Sequence, residues 1–295
     1  MKISPICYMG SKRELIGKGL LEYFPKNINT FIDAFAGSLS VSLNVKAKKY
    51  IINDKDSNLF SIYRLLLRYT SNREMLVSKL ETLRHRFHLP YRGGQYKEDK
   101  YIKNYKTLKE YYNKNRKPMC LFLLHYYSFC HIIRFTKGKF DTAIGTNILN
   151  NQVKKKIINF DLFDRSVKIL NKNYLEIDYS KLSEDDFVYF DPPYFGSMAV
   201  YNEGAKERSW TLEEDLLLRK LCDELTKRKI KWGMSNVFLN KGMKSAALKK
   251  WALCNKYEII HFSIKYRSKH LTSGDKESTD EVFICNYKPR YGLFS

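Results

Sequence analysis

At 295 residues the chain can bury a full core, as one large domain or one domain carrying a sizeable insertion, and 44% hydrophobic residues exclude a disordered polymer. Fifty-three Lys and Arg against 31 Asp and Glu leave a net charge of +22, which predicts a polyanionic partner because each neutralised phosphate releases condensed counterions; the alternative is an AT-rich genome inflating Lys, Asn, Ile and Tyr together. Cys7, Cys120, Cys130, Cys222, Cys254 and Cys285 show neither CxxC nor Cys–His zinc spacing, so no disulfide framework and no metal are expected, and a reducing, cytoplasmic setting fits.

The N-terminus reaches Lys12 and Arg13 without an apolar stretch, so no signal peptide is expected. Ser11 and Glu14 have capping-box spacing, which predicts a helix with Leu15, Leu20, Leu21 and Phe24 on its apolar face. Thr30 to Phe35 reads as a strand closed by Gly37, Leu39 to Lys46 as a helix, and Tyr50 to Asp54 as a second strand. Strand, glycine turn, helix and strand make a βαβ unit of a parallel sheet. From Ile62 to about Lys156 the sequence turns helical, Tyr-rich and basic, as an inserted domain would. Its longest apolar run, Met119 to Ile133, is broken by His125, Tyr126, Tyr127, Ser128 and His131 and reads as a buried helix, with no membrane contact expected. Strands are expected again at Val167 to Leu170, Phe187 to Phe190, Ile230 to Met234, Glu258 to Tyr266 and Glu281 to Tyr287, with a helix from Leu212 to Arg228.

Directly after the apolar strand Phe187 to Phe190 stands Asp191-Pro192-Pro193-Tyr194. Open α/β sheets bind ligands at the carboxyl ends of parallel strands, and two prolines there stiffen the turn and leave carbonyls that can only accept hydrogen bonds. An exocyclic adenine nitrogen is a poor nucleophile because its lone pair is delocalised into the ring. The Asp191 carboxylate and Pro192 carbonyl are suited to accept its two N–H bonds. Tyr194 can stack on a base that has left the duplex. The plainer reading is a Pro-Pro turn with an aspartate at a strand end.

With these residues in view, the chain resembles the Dam-type (alpha-class, D12-like) DNA adenine-N6 methyltransferases, over nearly its whole length. Tyr8-Met9-Gly10-Ser11-Lys12 is similar to the family's W-x-G-[GS]-K, Asp33-Ala34-Phe35-Ala36-Gly37 to its [DE]-x-F-x-G loop, and Asn171-Lys172-Asn173-Tyr174 to its N-x-D-F element. Asp191 to Tyr194 is the family's catalytic motif; Tyr201-Asn202, Ser235-Asn236 closing a strand, and Thr279-Asp280-Glu281-Val282 follow in order. The resemblance implies S-adenosylmethionine as methyl donor, held by Tyr8, Lys12, Asp33, Phe35, Gly37, Asp54, Asn173, Tyr174 and Asp191. Asp54 would take the ribose hydroxyls; without the resemblance it reads equally as the N-cap of a helix near Ser57, and Lys12 as a solvated charge. Leu39 stands where many relatives have a second glycine, and Asn173 where they have Asp.

Arg134-Phe135-Thr136-Lys137-Gly138-Lys139-Phe140-Asp141 is similar to the family's major-groove hairpin. Arg134 would contact a guanine or clamp a phosphate, and Lys137 and Lys139 would meet phosphates, with Tyr201 and Asn202 as further DNA contacts. The expected architecture is a Rossmann-like, seven-stranded α/β methyltransferase domain (1–58 and 158–295) with an inserted helical target-recognition domain at 59–157 and a hairpin near 133–146. The expected reaction is site-specific N6 methylation of a flipped adenine in duplex DNA. An RNA adenine methyltransferase and an inactive DNA-binding protein on the same fold are the alternatives, and a restriction endonuclease acting on the same site is one biological setting.

Overall fold

The computed structural model describes residues 1–7, 10–92, 94–194, 210–240, 243–244, 246–264 and 279–289. Its strands are β1 (Ile28–Asp33), β2 (Ala47–Asn53), β3 (Phe135–Thr136), β4 (Lys139–Phe140), β5 (Val167–Leu170), β6 (Phe187–Phe190), β7 (Lys231–Asn240), β8 (Met243–Lys244), β9 (Glu258–Ile264) and β10 (Thr279–Cys285). β3 and β4 form a separate hairpin; the main sheet runs β5-β2-β1-β6-β7-β10-β9, with short β8 paired to β7. The pairs β1–β2, β1–β6, β2–β5 and β6–β7 are parallel, β10 runs against its neighbours β7 and β9, and short β8 runs against β7. The expected seven-stranded, mostly parallel sheet is present, with β8 as an addition.

Alternation along the strands sends side chains to two cores. Phe31, Phe187, Tyr189 and Phe283 point into one, and Ile32, Val188, Phe190, Trp232 and Ile284 into the other. β6 is buried at all four positions, as a central parallel strand covered on both faces must be. The helix Leu212–Lys227 covers the second face with Leu218, Cys222 and Leu225. On the first face lie helices Ser57–Arg68, Arg73–Arg86, Asp99–Asn115, Pro118–Tyr127 and Asn151–Ile158, whose buried side chains join the same cluster as the sheet. Among the described residues no helix is long and apolar enough to cross a membrane.

Several local expectations are corrected. Ser11 caps nothing: the first helix is Arg13–Gly17 with Lys12 at its N-cap, and the Ser11 hydroxyl is bound instead to Ser40 at 3.0 Å and Ser38 at 3.3 Å. That helix stops short of Phe24 because Gly19 takes φ 89°, after which Leu20–Tyr23 form a 3₁₀ turn. Asp56, not Asp54, caps the helix Ser57–Arg68, accepting from the Asn58 N–H. The helix expected to reach Ile133 ends at Tyr127, before left-handed Cys130 and His131. Ser235 and Asn236 do not close their strand. β7 continues to Asn240 because they pair with Phe283 and Val282 of β10, which buries them. Residues 265–278, between β9 and β10, lie outside the described residues.

Gly233 on β7 leaves room for the Phe283 ring: a Cβ there would stand 2.3 Å from it and 3.2 Å from Phe187. Gly233→Ala is expected to cost about 1–3 kcal/mol by overpacking, seen as a lower urea midpoint with unchanged slope; an unchanged midpoint would show that this core yields.

Candidate active site

The strand order reverses direction of growth between β1 and β6, the topological switch point where open α/β sheets bind ligands. Asp33 is the last residue of β1, Asp54 follows β2, and Asp191 follows β6, so three carboxyl groups meet at neighbouring strand ends.

Asp191 is ion-paired with Lys12 at 2.8 Å, with side chains only 15% and 7% exposed. The same ammonium lies 5.1 Å from the Tyr194 ring centroid and donates to the Gly10 carbonyl at 3.2 Å. Lys12 is therefore not a solvated charge. Burial works against its ammonium, but Asp191, Tyr189 and Glu281 outweigh that and raise its proton affinity. Burial pushes the Asp191 carboxyl up to about 6, opposed by Lys12 and reinforced by Glu281. At neutral pH the result is a buried ammonium–carboxylate pair. Tyr189 lies on the same strand face as Asp191, and its hydroxyl is hydrogen-bonded to Ser235 at 2.6 Å.

Asp33 is buried, with Oδ2 accepting from the Ser42 hydroxyl at 2.5 Å and Oδ1 meeting no well-formed donor among the described residues. Burial raises its carboxyl to about 7, against the Ser42 bond and with help from Asp191 and Asp54. Asp54 is likewise raised to about 7 by burial and by neighbouring Asp56, although it accepts from the Asp56 and Gly37 N–H groups, each at 2.9 Å. Gly37 has φ 46°, and its carbonyl accepts from Tyr63. Leu39, in the second glycine's place, is fully buried and itself adopts φ 64°, a conformation that costs a leucine about 1–2 kcal/mol. Asn53 ties the loops together, donating to the carbonyls of Ala34 and Lys172 at 3.0 Å each.

Half-buried Phe35 packs on Tyr174 at 5.1 Å and on Trp210 at 5.8 Å. The Asn173 amide oxygen is occupied in a capping box with Glu176, which leaves its amide nitrogen as the group able to meet a ligand. Pro192 is buried, and Pro193 and Tyr194 are half-buried. Arg134, Lys137 and Lys139 are all exposed on the β3–β4 hairpin, Arg134 donating to the Asp141 carbonyl at 3.0 Å. Tyr8, Tyr201 and Asn202 lie outside the described residues. Sequence reasoning missed Ser42 as the partner of Asp33, and Glu281 as a buried charge acting on Lys12 and Asp191; a glutamate in an otherwise apolar strand was the available signal for the latter.

A mostly parallel sheet with one reversed strand, carrying Asp-Pro-Pro-Tyr at the end of its central strand, defines a Rossmann-like methyltransferase. The chain belongs to the D12 class N6 adenine-specific DNA methyltransferase family, whose model matches residues 8–269. It is 31% identical over 293 residues to the modification methylase StsI of Streptococcus sanguinis and 29% identical over 292 residues to the type II methyltransferase M.FokI of Planomicrobium okeanokoites. These alignments cover 97% and 96% of this chain but only 43% of each relative, so the chain spans less than half their length. It is also 23% identical to the DNA adenine methylase of Escherichia coli (strain K12), covering 96% of this chain and 94% of that protein.

The raised Asp33 carboxyl makes a signed prediction. The folded protein keeps the proton up to about 7, whereas an aspartate in the unfolded chain loses it near 3.8, so this group's stabilising contribution is present below about 3.8 and lost as pH rises through about 7. Asp33→Asn should therefore gain stability relative to wild type across that window, measured by urea unfolding. A pH-independent difference would show that Asp33 titrates normally.

Proposed function

We propose that this chain transfers a methyl group from S-adenosylmethionine to the exocyclic amino group of an adenine flipped out of duplex DNA, at a specific site. The observation that carries the reading is the Lys12–Asp191 pair at the Asp-Pro-Pro-Tyr turn. It holds a buried carboxylate ionised next to an aromatic ring and two prolines.

The donor fits the residues present. Its sulfonium and α-ammonium are cationic, and Asp33, Asp54 and Asp191 offer clustered carboxyls whose proton affinity is raised chiefly by burial. Asp33 and Lys12 would hold the methionine end, Asp54 the ribose hydroxyls, and Phe35, Tyr174 and the Asn173 amide the adenine, with Gly37 shaping the loop; Tyr8 is a further cofactor contact in the family resemblance. When bound, the donor supplies an electrophilic methyl group.

The protein's own part is to bind and orient the amine. Asp191 accepts one N–H and the Pro192 carbonyl the other, which localises the nitrogen lone pair for in-line attack. Pro193 fixes the turn, and Tyr194 stacks on the extruded base, repaying part of the few kcal/mol spent on unpairing. Lys12 keeps Asp191 an acceptor rather than a donor.

Residues 59–157 would form the recognition part, with Arg134 reading a base edge or clamping the backbone and Lys137, Lys139, Tyr201 and Asn202 adding contacts. The charge of +22 supports a phosphate-rich substrate, and a cytoplasmic setting fits that substrate. The modification-methylase name of a relative favours a setting in which a restriction endonuclease acts on the same site, with no stable complex required.

Asp191→Asn should lower methyl transfer to duplex DNA by about a hundredfold or more while cofactor affinity stays within about tenfold, measured with labelled donor and by calorimetry. Wild-type turnover in this variant would overturn the assignment, as would incorporation by the wild type into structured RNA in preference to DNA.

A further inference from the structure

The β3–β4 hairpin pairs only Phe135 with Phe140 and Thr136 with Lys139. Its two turn residues, Lys137 and Gly138, both have positive φ, 49° and 72°, the requirement of a tight turn that matches strand twist. Two-residue strands are nevertheless too short to hold a hairpin in water. Something else must fix it.

That support comes from the helix Asp99–Asn115 and the residue that ends it. The Asn113 side chain pairs with both backbone groups of Phe140: Oδ1 accepts from its N–H at 2.7 Å, and Nδ2 donates to its carbonyl at 3.1 Å. One side-chain amide thus takes the place of a neighbouring strand. Arg116 ends the helix with φ 52° and donates from its guanidinium to the Gly138 carbonyl inside the turn. The same guanidinium lies over the rings of Tyr112 at 5.4 Å and Phe135 at 5.6 Å. Phe135 and Phe140 are buried against Tyr112, at 6.2 and 6.1 Å between ring centroids. Farther along, Tyr105 donates to the Thr142 carbonyl at 3.2 Å. The inward face of the hairpin is bolted to the helix, and Arg134, Lys137 and Lys139 are left exposed.

We propose that Asn113 and Arg116 are positioning residues for target recognition: they hold the hairpin in one register so that its exposed cations meet the DNA in a fixed geometry. The inference rests on the reading that this hairpin contacts DNA. Base discrimination depends on rigid placement of donors, because a side chain free to shift gives similar energy to right and wrong base edges. Neither residue touches DNA in this role; each acts through the backbone it grips.

The test uses the full chain, a duplex selected from a random pool by wild-type binding, and the single-base variants of that duplex. Binding and methyl transfer are measured on each, for wild type, Asn113→Ala and Arg116→Gly. Glycine suits the left-handed φ at position 116, so the second variant removes the guanidinium without backbone strain and decides the matter if Asn113→Ala fails to fold. The expected result is a fall of about tenfold in the ratio of selected to altered duplex, with binding to the altered duplexes nearly unchanged and amide exchange faster at Thr136 and Lys139. A ratio within about twofold of wild type in folded Arg116→Gly would overturn the proposal, as would a uniform loss on all duplexes, the mark of a merely structural role. A fall in the binding ratio from a wild type that transfers no methyl would support the positioning role while sinking the catalytic reading.

Discussion

The site is organised by one buried ion pair. Lys12 comes from the N-terminal segment and Asp191 from the end of the central strand, and each is a charge that the protein interior penalises heavily on its own. Together, at 2.8 Å, they are tolerable. Removing one partner of such a pair typically costs about 3–5 kcal/mol because the other is left uncompensated, so folding and function select the same contact. The pair also joins segments that the chain order keeps far apart, and it fixes the Asp-Pro-Pro-Tyr turn from below through the carboxylate and from the side through the Tyr194 ring.

Around that pair the sheet concentrates negative charge. Asp33, Asp54 and Asp191 end adjacent parallel strands, and Glu281 adds a buried carboxylate from the reversed strand β10. Burial is the main reason the three strand-end carboxyls bind protons more tightly than usual, and neighbouring carboxyls add to it. In the proposed reading, a cationic, sulfonium-bearing donor would meet that concentration of carboxyls. The helices of the inserted segment do not stand apart from this arrangement. They share a core with the sheet face that carries Phe31, Phe187 and Tyr189, and the Cys7 N–H donates to buried His125 of the helix Pro118–Tyr127 at 3.1 Å. The segment leading to Lys12 is thereby anchored on the same helical body that carries the hairpin.

What could be read from the residues follows from how local each signal is. The apolar run Phe187 to Phe190 followed by Asp-Pro-Pro-Tyr states both a buried strand and what hangs from its end, and the glycine turn after Asp33 does the same for β1. The Lys12–Asp191 contact was not legible, because nothing in the neighbourhood of either residue names the other. Ser11 misled for a related reason: its spacing to Glu14 satisfies a local rule, but the Ser38 and Ser40 hydroxyls compete for it across the fold. Ser235 and Asn236 look like a strand end by polarity, yet pairing with β10 continues the strand through them. Asn113 gave no signal at all. One of three asparagines in a lysine-rich helix is unremarkable until the hairpin it grips is in place.

The central claim is that Asp191 works as an anion because Lys12 stands beside it. The most direct measurement is the pH dependence of methyl transfer to duplex DNA in wild type, Lys12→Arg and Lys12→Met. Wild type should lose rate on acidification through about 6, the arginine variant should keep that limb, and the methionine variant should show it moved to higher pH because burial is no longer opposed by a neighbouring cation. An acid limb that stays where it is in Lys12→Met would contradict the account.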